Sequence, residues 1–226
     1  MDKLIMELGF SPLFKGIGKE IIEKTLDKTS YFIRTYDKGN FIISTGDEAK
    51  YLGIILKGLL EINKSIAFEK NLVIEEKKQG DIFGEAAVFN TKSSIYPCNL
   101  VAKSKMKVIF FNKEDIFNIL SFDKQILNNF ITMFANKTYN LNIKTELLSY
   151  NSIQEKIAFS IINILVMKDN KVVLPYSKKT WAEHLCVSRP SLSRELKKMS
   201  DKNLISIEGK VIKITDYYGL ENIYQK

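Results

Sequence analysis

The sequence predicts an α+β chain made of an N-terminal β-barrel, one long helix and a C-terminal winged helix–turn–helix. Three observations carry this. Short apolar runs with a period of two fill the first half, separated by glycine and acidic turns. A stretch from Asp123 to Ser149 then runs without Gly or Pro. Finally, two short helical patterns and an alternating hairpin pattern close the chain in a basic setting.

The barrel strands come first. In Tyr51–Asn63, residues Leu52, Ile54, Leu56, Leu60 and Ile62 share one parity, with Gly58 in the series. That alternation predicts one strand or a bent pair of strands. Asn40–Thr45, Asn71–Glu75 and Lys107–Phe111 are similar short runs. Turn signals at Asp37–Gly39, Thr45–Asp47 and Gln79–Asp81 separate them. Several short strands at near-regular spacing suggest a sandwich or barrel.

Lys113–Leu120 follows as a short helix with an acidic first turn. In the long helix, Leu127, Phe134, Leu141 and Leu148 recur every seven residues. Phe130 or Ile131 supplies a second apolar position once, and Thr138 and Thr145 occupy it later. A helix well beyond the usual 11–12 residues or so, with a heptad stripe, suggests a dimer seam through Leu127, Phe130, Phe134, Leu141 and Leu148. Ser152–Met167 reads as a further buried helix and Lys171–Pro175 as a short strand.

The C-terminal module is compact and basic. Ser177–Leu185 forms a helix, Cys186–Val187 a turn, and Arg189–Asp201 a second helix capped by Ser188 with Pro190 in its first turn. Leu192, Leu196 and Met199 make its buried stripe, which leaves Arg189, Ser193, Arg194 and Lys197 on the opposite face. Ile205/Ile207 and Ile212/Ile214 alternate around Glu208–Gly209, as a wing hairpin does.

Charge points the same way. The net charge is +8; residues 151–226 hold 13 Lys+Arg and 8 Asp+Glu, a net of +5, against 21 − 18 = +3 for the longer remainder. Only three arginines occur, Arg34, Arg189 and Arg194, and two of them share one face of the second helix. A recognition helix presents its N-terminal residues to base edges, and arginine bonds guanine O6 and N7 together. Double-stranded DNA is therefore the expected partner. Arg189, Arg194 and Ser193 would reach into the groove, with Ser188, Pro190 and Ser191 at the helix start. Lys178, Lys179, Lys197, Lys198 and Lys210, with Ser177 and Thr180, would meet phosphates.

Composition excludes other classes. Hydrophobic residues make up 45% and charged residues 27%, an ordinary folded mixture. The two cysteines, Cys98 and Cys186, lie far apart with no CxxC pair, and His184 is the single histidine. Iron–sulfur, structural zinc and thioredoxin-type readings fail on ligand count. A metal-dependent barrel enzyme needs clustered His and carboxylate ligands, and the barrel region has no histidine; no catalytic residue and no metal site is expected. No apolar run reaches the roughly 18–20 residues that span a bilayer, so no membrane partner is expected. MDKLIMELGF lacks a basic n-region and apolar core, which makes the cytoplasm the expected location.

The order barrel, long helix, winged helix–turn–helix resembles the cyclic-AMP-receptor/FNR (CRP/FNR) family of bacterial transcription regulators over nearly the full length. The motifs that carry the resemblance are Asp37-Lys-Gly39 with Thr45-Gly46-Asp47, the Ile55–Gly58 turn, Gly80-Asp-Ile-Phe-Gly-Glu85, and Cys186-Val-Ser-Arg-Pro-Ser-Leu-Ser-Arg194. It implies a jelly-roll sensor barrel at 1–122, a dimerisation helix at 123–149 and a DNA-binding domain at 150–226. It also implies a homodimer on an inverted-repeat operator, and contact with RNA polymerase. Pro190 stands where familiar members carry a cytosine-reading Glu, so the half-site sequence does not transfer.

The family's nucleotide-binding members hold ribose with a Gly-Glu pair and the cyclic phosphate with an Arg about ten residues on. Phe83-Gly84-Glu85-Ala86 matches the start, but the Arg position falls on or near Tyr96-Pro97. No arginine lies between Arg34 and Arg189, and Lys92 is the only cation in that loop. A barrel that does not take cyclic AMP is the expectation. This leaves an uncharged or differently charged small molecule, or no effector; no cofactor is assigned. Any effector would meet Gly84, Glu85, Ala86, Tyr96 and Pro97, with Tyr139, Leu141 and Asn142 of the long helix. The competing reading is a ligand-binding module whose winged helix mediates protein interaction.

Overall fold

A computed structural model describes residues 1–67 and 70–225. It divides into two compact units, Met1–Ala135 and the chain from Asn136 onward.

The first unit opens with α1 (Asp2–Leu8), a 3₁₀ turn at Pro12–Phe14 and α2 (Lys19–Leu26). Eight strands follow: β1 (Tyr31–Tyr36), β2 (Phe41–Ile43), β3 (Tyr51–Lys57), β4 (Leu59–Ala67), β5 (Lys70–Lys78), β6 (Ile82–Phe83), then α3 (Glu85–Val88), β7 (Asn99–Ala102) and β8 (Met106–Asn112). They form two antiparallel sheets ordered β1-β8-β3-β6 and β2-β7-β4-β5. Tyr51–Asn63 is indeed a bent pair of strands, with the bend at Gly58.

β3 is buried on both faces, because it divides two cores. Leu52, Ile54 and Leu56 join α1, α2 and the helix that follows β8 in one apolar cluster. Ile55 turns into the barrel, among Leu60, Phe83, Leu100, Val108 and Phe110. The period of two therefore separates core from core rather than core from water.

α4 (Lys113–Phe122) starts at Asn112, whose side chain accepts from the Asp115 amide at 2.8 Å. The Asp115 carboxylate in turn accepts from the Ser30 amide at 2.8 Å. α5 (Lys124–Ser149) begins with the Asp123 carboxylate accepting from the Gln125 amide at 2.7 Å. Its first half buries Ile126 and Asn129 and packs Phe130 and Met133 on the helical core. Asn129 Nδ2 donates to the carbonyls of Leu13 (3.0 Å) and Lys15 (2.8 Å), tying the N-terminal segment to this helix.

The second unit contains the rest of α5, α6 (Ile153–Phe159), β9 (Met167–Lys168), β10 (Lys171–Val173), α7 (Lys178–His184), α8 (Arg189–Asp201), β11 (Ile205–Glu208), β12 (Val211–Ile214) and α9 (Tyr217–Glu221). Its sheet runs β11-β12-β10-β9. Ile143 and Leu147 of α5 pack on its core, which centres on Phe159, Trp181, Leu192, Leu196 and Ile212. The helix expected at Ser152–Met167 is corrected. α6 has a complete Ser152/Glu155 capping box, but a π-helical turn at Ser160–Ile164 ends it, and Met167 lies in β9. Asp169 and Asn170, both with positive φ, make a tight turn there, which suits a hairpin rather than a helix.

Candidate nucleic-acid interface

Two serines build the helix–turn–helix. Ser177 Oγ accepts from the Thr180 amide at 3.1 Å and starts α7; Ser188 Oγ accepts from the Ser191 amide at 3.1 Å and starts α8. Each satisfies an amide that a helix N-terminus leaves without a partner. Pro190 sits in the first turn of α8, where its missing N–H costs nothing. Cys186 takes φ +55 in the turn between the helices and is exposed.

Behind α8, Leu192, Leu196 and Met199 are buried against the module's core. Trp181 of α7 is fully buried, and its Nε1–H donates to buried Ser160 Oγ at 3.0 Å. Glu195 is held away from the exposed face by Gln154 (2.7 Å) and Lys198 (2.7 Å). Those hydrogen bonds, from Lys198 first and then Gln154, lower its pKa.

The free face of α8 carries Arg189, Pro190, Ser193, Arg194 and Lys197, all exposed, with Ser191 half-buried. Arg194 Nη2 donates to Ser191 Oγ at 3.3 Å, which leans the guanidinium toward the helix N-terminus. Ser177, Lys179, Ser188 and Lys210 are exposed, and Lys178 and Thr180 half-buried. A cleft lined by Lys178, Ser193, Lys197, Ser200 and Asp201 joins the start of α7 to α8. Lys210 stands at the tip of the β11–β12 hairpin, whose carbonyl accepts from the Leu174 amide at 2.9 Å. The hydroxyls of Ser177 and Ser188 serve the caps, and Ser188 Oγ donates to Ser191 Oγ at 2.8 Å.

In the barrel, the structure brings Gly84 and Tyr96 together. Gly84 has φ +84, and a Cβ there would stand 2.7 Å from the Tyr51 carbonyl and 3.4 Å from the Tyr96 ring. Tyr96 is buried, and its hydroxyl donates to the Tyr51 carbonyl at 2.5 Å. Burial raises its pKa. Glu85 is buried, while Ala86, Pro97 and Lys92 are exposed. Aromatic rings gather around Phe110, with Phe83 and Phe110 buried, Phe32 half-buried and Tyr51 exposed. Phe110 stacks on Phe32 (5.0 Å between centroids) and meets Phe83 edge-on (5.9 Å), and Tyr51 meets Phe32 at 5.0 Å. The Phe83 ring occupies the space over Gly53 where any Cβ would overlap it.

Tyr139, Leu141 and Asn142 are exposed on α5, in the unit that begins at Asn136. Along the heptad stripe, Leu127 is 40%, Leu141 57% and Leu148 43% exposed, with Phe134 half-buried. Phe130 is half-buried, 5.9 Å from Phe89 on the core side and 4.9 Å from Phe134 of the stripe. Among the described residues, no group of three or more His, Cys, Asp and Glu side chains could hold a metal ion. No helix among them is long and apolar enough to cross a membrane.

A capped recognition helix with a basic outer face, a wing and a separate double-sheet barrel define a DNA-binding regulator with a sensor-type domain. Comparison with known proteins agrees. Residues 33–123 match the cyclic nucleotide-binding domain and residues 155–223 the Crp-like helix-turn-helix domain. The chain belongs to the CRP/FNR family of transcription regulators. It is 22% identical over 185 residues to the cAMP-activated global transcriptional regulator CRP of Pasteurella multocida, covering 80% of this chain and 88% of that protein. It is also 22% identical over 203 residues to the protein of that name from Salmonella typhimurium, covering 87% and 96%. The fold is similar to that of the catabolite activator protein of Thermus thermophilus, with TM-score 0.56 and 18% identity over 95% of this chain and 98% of that one. These relatives are regulators, not enzymes, in line with the reading of the sequence.

Proposed function

We propose that the protein is a homodimeric regulator that reads an inverted-repeat operator and whose barrel does not take cyclic AMP. The exposed face of α8 carries the reading: two of the chain's three arginines, Arg189 and Arg194, stand at its N-terminal end. Arg189 and Arg194 are the base-reading residues. Lys178, Lys179, Lys197 and Lys210 contact phosphates, where a point charge suffices. Functionally, residues 1–122 act as sensor, 123–149 as dimerisation helix and 150–226 as DNA reader, with RNA polymerase as the downstream partner.

Two observations support the finer points. Exposed apolar residues Leu127, Leu141 and Leu148 recur on α5, while Ile126 and Asn129 near its start and Ile143 and Leu147 near its end pack into their own units, an arrangement suited to a self-complementary seam. Against cyclic AMP stand the missing arginine and the aromatic filling around Phe83, Tyr96 and Phe110. A phosphate in that loop would meet no guanidinium, and charge-assisted bonds are the strong ones.

The test is binding to an operator obtained by selection, measured by fluorescence anisotropy. Arg194→Ala should weaken binding by about 1–3 kcal/mol and relax preference at one base pair. Unchanged binding by Arg194→Ala would remove α8 as the reading element and favour a winged helix used for protein contact.

A further inference from the structure

The outer face of the wing sheet holds a second basic surface, separate from α8. Register places it. Lys168 lies opposite Lys171, Lys171 opposite Lys213, and Lys213 opposite Ser206. Directly opposed residues share a face, so Ser206, Lys213, Lys171 and Lys168 form one line across β11, β12, β10 and β9. All four are exposed. Their strand neighbours Val172, Ile212 and Ile214 point the other way and are buried.

Like charges set directly opposite each other destabilise a sheet, and here two such pairs sit side by side. None of the three lysines has an ion-pair partner among the described residues. Glu208, two residues from Ser206 on β11, lines the same cleft as Lys171 and Lys213, and one carboxylate there faces the two lysines without forming an ion pair with either. An arrangement that costs the sheet stability and leaves three cations free is suited to an anion from outside.

We infer that this lysine row binds the phosphate backbone of duplex DNA flanking the operator. The inference rests on the DNA-reading function proposed above. The three lysines span two strand gaps of about 4.8 Å, a line of about 10 Å, the axial rise of roughly three successive phosphates on one strand. The row is also continuous with the proposed interface, since β12 leads directly from Lys210 at the wing tip to Lys213. Lysines read no sequence, so the row adds affinity and salt dependence rather than specificity.

The test compares wild type with the triple variant Lys168→Gln/Lys171→Gln/Lys213→Gln on two duplexes, one of about 25 and one of about 60 base pairs. Binding is measured at several salt concentrations. On the long duplex the variant should lose about 0.9 in log–log salt slope per phosphate released, about 2.7 for one wing. Between about 50 and 200 mM salt that amounts to roughly 40-fold less salt sensitivity. On the short duplex both proteins should behave alike. The variant should melt no lower than wild type at low salt, because it removes like-charge pairs; that separates a lost contact from a lost fold. Equal slopes on the long duplex would overturn the inference. Equal slopes together with loss of binding to polyglutamate would assign the row to an acidic protein surface instead. The slope can be read on any long duplex, so it stands apart from operator preference. A protein with no preferred sequence would refute base reading by α8 and leave this measurement intact.

Discussion

Ser160→Ala tests how the DNA-binding module is held together. Trp181 is fully buried in α7, behind the recognition helix, and Ser160 Oγ at 3.0 Å is the acceptor of its indole N–H. Removing that oxygen leaves a donor buried without a partner, at a cost of about 1–3 kcal/mol. The lost volume is smaller than a methylene, so little of the effect comes from a cavity. For a unit of this size, about 1 kcal/mol shifts the midpoint by roughly 4–8 °C, so the variant should melt at least about 4 °C lower. Trp181 is the only tryptophan in the chain, and its fluorescence reports this unit directly during urea or thermal unfolding. A cycle with Trp181→Phe should return a favourable coupling of about 1 kcal/mol. Well below the transition, DNA affinity should stay within about two-fold of wild type, since no α8 contact is altered. A Ser160→Ala protein as stable as wild type within about 0.3 kcal/mol would show that the hydrogen bond contributes nothing and refute this account of the core.

Other perturbations probe the remaining elements. Leu141→Glu places a charge in the exposed stripe of α5 and should convert dimer to monomer in analytical ultracentrifugation while the monomer keeps its helicity; a stable dimer would place the seam elsewhere. Cyclic AMP at millimolar concentration should leave the barrel's melting temperature unchanged, whereas a ligand at about 100 times its Kd would stabilise it by about 2.7 kcal/mol. Gly53→Ala should destabilise the barrel by a few kcal/mol, because the new Cβ overlaps the Phe83 ring; calorimetry of the purified variant measures this. Hydrogen bonds from Lys103 and then Asn63 lower the Glu61 pKa. Stability from that pair is present above the ordinary carboxylate range and is lost as pH falls through the lowered value. Glu61→Gln should therefore show a smaller loss of stability than wild type between about pH 5 and pH 3.

Much of the DNA-binding module was legible in the residues because its signals are local. Serines at Ser177 and Ser188, proline at Pro190 and the alternation around Gly209 each mark a backbone feature within a few positions. The long helix was equally plain, since nothing between Asp123 and Ser149 interrupts it. What escaped depends on distant partners. The apolar run after Phe159 has no proline or glycine to stop it, and only the turn at Asp169–Asn170 and pairing with β10 make Met167 a strand residue. α1 has no side-chain cap and is short, so packing on β3 rather than propensity holds it. The barrel's aromatic cluster joins Phe32, Tyr51, Phe83 and Phe110 from four strands. No pattern within one segment announces that they meet. Asn129 reads as a polar helix residue, yet it is the clamp on Leu13 and Lys15.

The central claim is that this chain reads an inverted-repeat operator as a dimer. Selection of duplexes from a randomised library by the purified protein at moderate salt, ligand-free and again with cell-extract small molecules added, tests it most directly. The account predicts enrichment of an inverted repeat with half-sites about one helical turn apart. Enrichment of no sequence, or of a single asymmetric site, would contradict it.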